Sequence, residues 1–156
     1  MITVRAAGLG DQEFLAVCNE QMAWETEHRR LDPDTIRRGV ARALQDPALG
    51  RYFVAENSGV RAGCLLVTYE WSDWRNRQFW WVQSVYVEPD HRSRGVYREL
   101  YGEVKRRAAE EGGCCGFRLY VEQSNTRAQE TYRRLGMEQT NYVLFEEPLL
   151  HLKSNY

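Results

Sequence analysis

The residues best suited to chemistry are Arg92, Ser93, Arg94 and Gly95. They follow an apolar and aromatic run at residues 79–87, which has the β-branched and aromatic content of a strand and is stopped by Pro89-Asp90. They precede Val96, Leu100, Val104 and Ala108, whose spacing of four draws one stripe along a helix. A strand that feeds a helix through such a turn presents unpaired backbone N–H groups and the positive end of a helix dipole at one point. Gly95 removes the side chain where a ligand approaches the backbone, and the two arginines add full positive charge. The set suits a phosphate or pyrophosphate group. A surface connection with solvated arginines accounts for the same spacing equally well.

With Val85-Tyr86-Val87 before it, the run Arg92-Ser93-Arg94-Gly95-Val96-Tyr97 resembles the acetyl-CoA signature of the GNAT superfamily of N-acetyltransferases. That signature is Q/R-x-x-G-x-G/A after a strand ending in an apolar-x-apolar triplet. Tyr97 departs from it, standing where the second Gly or Ala belongs. A later stretch resembles the superfamily pattern N-x-x-A-x-x-x-Y-x-x-x-G-F/M through Asn125, Ala128, Tyr132, Gly136 and Met137. The order of elements from residue 2 to 147 is similar as well.

The resemblance implies an α/β fold of mixed α+β type, with a mostly antiparallel central sheet and helices on both faces. It implies transfer of an acetyl group from acetyl-CoA to a primary amine of a small molecule, directly within a ternary complex and without a metal. Backbone groups of Val85, Tyr86 and Val87 would hold the pantetheine arm. Arg92, Ser93, Arg94, Gly95, Val96 and Tyr97 would hold the pyrophosphate, Asn125 would bond to the CoA arm, and Tyr132 would protonate the leaving thiolate. Many relatives carry a carboxylate base at a position that is Gln83 here. Glu70, Glu25, Glu27 and Glu122 remain as candidates, with Glu70 the expected base. The alternative is a non-catalytic acyl-CoA-binding or regulatory domain, for which Gln83 is the argument.

Each of these residues has a plainer role open to it. Ala128, Tyr132 and Leu135 are spaced like a core stripe, Asn125 suits a helix cap, and the carboxylates suit a solvated surface. No G-x-x-x-x-G-K-[ST] run is present, which disfavours a general nucleotide-phosphate module.

A net charge of −1 gives no whole-molecule attraction to nucleic acid or acidic membranes, so an anion site must be local. Hydrophobic residues at 43% and charged residues at 28% describe a globular chain, and 156 residues suit a single domain over 1–156. The first residues show no charged-then-apolar leader, and no stretch approaches a membrane span, so a cytoplasmic protein is expected. Cys18, Cys64, Cys114 and Cys115 lack zinc-site spacing and are expected as buried reduced thiols. Crowded aromatics at Trp71, Trp74, Trp80 and Trp81, together with the resemblance, lead us to expect a homodimer.

The elements that must position these residues follow from pattern. Strands are expected at residues 2–6, 51–56, 62–69 and 79–87, with Asn57-Ser58-Gly59 closing a hairpin. A helix capped by Asp11 runs to about residue 21, a loop covers residues 23–28, and Pro33 opens a second helix. After the basic turn come the central helix, a strand at 117–121, a helix at 125–135 and a returning strand at 137–147. The strand-helix-strand unit from 79 to 121 predicts a parallel pair.

Overall fold

The computed structural model describes residues 1–149, and contacts divide the chain into two compact units, Met1–Tyr120 and Val121–Tyr156. The first holds one five-stranded sheet in the order β1 (Ile2–Ala6), β2 (Arg51–Asn57), β3 (Val60–Ser72), β4 (Arg77–Val87), β5 (Cys114–Arg118). Neighbours pair antiparallel except β4 and β5, which are parallel, as the strand-helix-strand pattern requires. Ser58 and Gly59 both take positive φ, 52° and 82°, which gives the β2–β3 hairpin the twist its strands need.

Helices α1 (Gln12–Glu27) and α2 (Pro33–Gln45) cover one face of the sheet. Their core joins Leu15, Cys18 and Val40 to Tyr52, Val54, Cys64 and Tyr86. Helix α3 (Val96–Glu111) takes the other face, with Val96, Leu100, Val104 and Ala108 buried in the stripe their spacing predicts. Tyr101 of α3 meets Phe117 of β5 edge to face, with ring centroids 5.6 Å apart. Gly63 makes the seat of α3 possible, because a Cβ there would lie 2.6 Å from the Tyr86 carbonyl oxygen and 3.2 Å from Val96 Cγ1. The second unit carries α4 (Thr126–Arg134), and no described helix is long and apolar enough to cross a membrane.

Four expectations change. Residues 23–27 are not loop but the last turns of α1, because Met22, Ala23 and the glutamates favour helix and no glycine or proline interrupts them before His28 takes a left-handed C-cap. Asp11 stands at the N-cap of α1 without capping it; its carboxylate accepts instead from the Gly8 N–H at 2.9 Å, Arg5 and Arg61. Strand β5 starts at Cys114 rather than residue 117. Gly112 and Gly113, both at positive φ, reverse the chain at once, and the Gln78 N–H bonds to the Gly113 carbonyl at 2.9 Å. Residues 137–147 form no strand: Tyr142, Val143, Leu144 and Phe145 stand exposed, and no strand among the described residues pairs with them.

The cysteines divide. Cys18 and Cys64 are buried, where their mutual hydrogen bond and burial push the Cys18 thiol up and keep it inert, while Cys114 and Cys115 are half-buried at the start of β5.

Candidate functional site

β4 carries one residue too many for its neighbour. Gln83 pairs with Leu66 and Tyr86 with Cys64, so Ser84 and Val85 together oppose Leu65. Ser84 absorbs the bulge at φ 48°, a left-handed conformation uncommon for a residue with a side chain. The extra residue exchanges the faces of the strand. Val82, paired with Val67, looks toward α3, whereas Tyr86, paired with Cys64, joins the α1/α2 core.

The other edge of the same segment is open. Pairing of β4 with β5 ends at Trp81 opposite Arg118, so among the described residues Val82 to Val87 have β3 on one side and no strand on the other. Backbone N–H and C=O groups along such an edge take an extended, amide-bearing ligand as they would take a strand. Val85, Tyr86 and Val87 lie here.

A short 3₁₀ turn, Pro89–His91, leads from this edge to the basic turn, where Ser93 (φ 61°) and Gly95 (φ 84°) are both left-handed. Alternation of this kind gathers successive N–H groups into an anion-binding concavity. Asp32 caps α2 by accepting from the Thr35 N–H at 2.8 Å, and Asn125 caps α4 by accepting from the Ala128 N–H at 3.1 Å. Gly95 offers α3 no side-chain cap, which leaves the first N–H groups of a 16-residue helix open toward the turn. Arg94 is exposed and carries no ion pair among the described residues. Arg92 is turned the other way: its Nε donates to the Val87 carbonyl at 2.9 Å and its Nη2 to both oxygens of Glu25, at 3.0 and 2.8 Å. Tyr97 stacks parallel on Tyr101, ring centroids 6.0 Å apart, so its ring runs along α3 and its place in the motif rests on its N–H.

Glu70 is not brought to the bulge: it pairs across the sheet with Phe79, six residues back along β4 from Val85, and holds Arg118 at 2.5 Å. Gln83 donates to Thr68 Oγ1 at 2.6 Å, and its amide cannot take a proton as a base would. Val121–Tyr156 contains Asn125 and Tyr132. Burial raises the Tyr132 phenol above its ordinary value, so it stays protonated at neutral pH. Glu122, also there, binds the Ser124 N–H at 2.8 Å.

Two features escaped pattern reading. The bulge has a signal in hindsight, since the apolar phase of β4 slips from residues 80 and 82 to 85 and 87 across Gln83-Ser84. The placement of Glu25 against the turn has none, because it depends on α1 lying across Tyr86.

Comparison with known proteins places the chain's family and fold. A family model described as "Acetyltransferase (GNAT) family" matches residues 13–137. A possible acetyltransferase from Clostridium difficile 630 superposes with a TM-score of 0.89 at 36% identity, covering 97% of this chain and 99% of that one. AAC(6')-Iy in complex with the bisubstrate analogue CoA-S-monomethyl-acetylneamine superposes with a TM-score of 0.79 at 21% identity, over 96% of this chain and 99% of that one, a likeness of fold. Mycothiol acetyltransferase of Corynebacterium aurimucosum is 27% identical over 148 residues, 93% of this chain. The chain spans slightly under half the length of the curated relatives it matches, 47% in that case.

Proposed function

The chain belongs to the acetyltransferase (GNAT) family, and on that premise we propose that it transfers an acetyl group from acetyl-CoA to a primary amine of a small molecule, directly within a ternary complex. The observation that carries this reading is the open edge of β4 from Val82 to Val87 leading into the uncapped N-terminus of α3. An extended pantetheine arm with two amides suits the edge, and a pyrophosphate suits the N–H groups from Arg92 to Tyr97 with Arg94 beside them. In this reading both compact units serve one domain, because the family match runs through residues 120 and 121.

The reaction forms a C–N bond and breaks a C–S bond. Backbone donors on the β4 edge polarise the thioester carbonyl, and the neutral amine attacks it. The amine's proton leaves to water along the open edge; Glu70, committed to Arg118, is given no part in it. Tyr132 supplies a proton or a hydrogen bond to the departing thiolate, a role supported by its register in the N-x-x-A-x-x-x-Y pattern and by its raised pKa. Asn125 both caps α4 and bonds to the CoA arm.

The test is a mass-spectrometric screen for acetylation of a panel of primary amines with acetyl-CoA. Appearance of N-acetyl product with one equivalent of free thiol is expected. Tight acetyl-CoA binding with no amine acetylated would return the protein to the non-catalytic acyl-CoA-binding alternative.

A further inference from the structure

The last turn of α1 places Glu25 against the end of β4, where the bulge has turned Tyr86 to meet it. The Tyr86 hydroxyl donates to Glu25 Oε1 at 3.1 Å, and Arg92 Nη2 donates to both carboxylate oxygens. Arg92 is held in this pose by its bond to the Val87 carbonyl and by its guanidinium lying 5.4 Å from the centre of the Tyr86 ring. The motif arginine is therefore engaged by α1 and the end of β4.

A guanidinium engaged by both oxygens of a carboxylate cannot serve a phosphate with the same donors. Both side chains are more than a third exposed, 38% for Glu25 and 37% for Arg92, so water and ligands reach the pair and it is readily exchanged. A pyrophosphate on the neighbouring amides carries more charge than the carboxylate and competes for Arg92. Once Arg92 turns to it, Glu25 keeps only the Tyr86 hydroxyl, which burial and the carboxylate push up to about 12 and so keep protonated as a donor. A carboxylate stripped of its cation is a site for another cation.

We propose that Glu25 is the acceptor-binding carboxylate, neutralised by Arg92 in the free protein and released to hold the ammonium of an amine substrate when a phosphate group draws Arg92 away. The inference rests on the cofactor site proposed above. It makes the two ligands reinforce each other, since by linkage an amine held by Glu25 frees Arg92 for phosphate by the same factor.

Glu25→Gln separates the parts. Titration calorimetry with coenzyme A at low ionic strength should show binding tightened about three- to tenfold, because Arg92 no longer has a rival. In an Arg92→Gln background the same change should leave coenzyme A affinity unaltered. With the amine acetylated fastest in the screen, at saturating acetyl-CoA, Glu25→Gln should raise KM about tenfold or more while kcat stays within about threefold. Glu25→Asp, which keeps the anion, should recover most of the amine affinity. Unchanged coenzyme A affinity in Glu25→Gln, or an unchanged KM, overturns the proposal while the cofactor site stands. A wild-type protein that binds no coenzyme A overturns the cofactor site and this inference with it.

Discussion

Gly95 and Tyr132 bear most directly on the transfer, and each gives a sharp expectation. Gly95 sits at φ 84° at the head of an uncapped helix, so a side chain there strains the backbone, and an anionic one also repels phosphate. A Cβ would approach Arg98 Nη2 at 3.2 Å, which a flexible arginine accommodates, so the fold should survive. Gly95→Glu is expected to keep its circular dichroism spectrum and lose more acetyl-CoA affinity than the ~1–3 kcal/mol of one charge-assisted hydrogen bond. Calorimetry showing wild-type affinity would remove the pyrophosphate from this turn. Tyr132→Phe keeps the ring and deletes the proton. It should lower kcat by about 10²-fold with little effect on acetyl-CoA affinity. Because burial raises this phenol above its ordinary value of 10.0, the donor form persists through neutral and mildly alkaline pH. Loss of kcat from its ionisation should appear only above that value. A phenylalanine variant turning over at wild-type rate would leave Tyr132 as a packing residue.

At the scale of elements, what positions the site is a bulge and two close approaches. Gly63→Ala would drive a methyl against the Tyr86 carbonyl and Val96, parting β3 from β4 and lifting the first turn of α3. Acetyl-CoA affinity should therefore fall along with melting temperature; a variant that melts lower but binds as before would uncouple the seat of α3 from the anion site. A second fastening ties β1 to the β2–β3 hairpin. Asp11, 3% exposed, accepts from Arg5 at 2.7 and 3.0 Å, from Arg61 at 2.9 Å and from the Gly8 N–H, while Arg5 also reaches Glu56. Asp11→Ala removes a buried acceptor and leaves the Gly8 N–H without it, while Arg5 keeps Glu56 and both arginines reach water, so the change should cost about 1–3 kcal/mol, on the order of 5 °C in Tm by differential scanning calorimetry. The hydrogen bond from Arg5, then those from Gly8 and Arg61, hold the Asp11 carboxyl well below its ordinary 3.8. Its contribution is full above that value and is lost as pH falls through the lowered one, so the gap between wild type and Asp11→Ala should narrow below about pH 4. Strands β1 to β4, helix α3 and the basic turn were legible because apolar period, Pro89 and the glycines mark them locally. The length of α1, the bulge at Ser84 and the partner of Arg92 were not. The end of α1 has helix-favouring residues but no apolar period, the bulge leaves only a slip of apolar phase, and the pairing of Arg92 with Glu25 appears only when a helix end and a strand end meet.

Over the whole molecule, surface hydrophobicity exceeds what the function so far proposed employs. Trp71 and Trp74, at the tip of the β3–β4 hairpin, are 60% and 89% exposed. Tyr142, Val143, Leu144 and Phe145 are 82%, 75%, 69% and 90% exposed, a run of strand-favouring side chains that no described strand pairs. Exposed apolar runs of this kind are ordinarily covered by a partner, and a net charge of −1 opposes association only weakly. We expect a second copy of the chain to provide the cover, giving a homodimer. Sedimentation velocity at micromolar concentration should show a species of twice 18.3 kDa. Replacing Val143 and Phe145 together by Glu puts two charges into the run and should shift the boundary toward the monomer. The pair should leave coenzyme A affinity in place, since neither residue belongs to the β4 edge or the basic turn. A wild-type profile holding only the 18.3 kDa species would count decisively against the dimer and leave the exposed run to another partner.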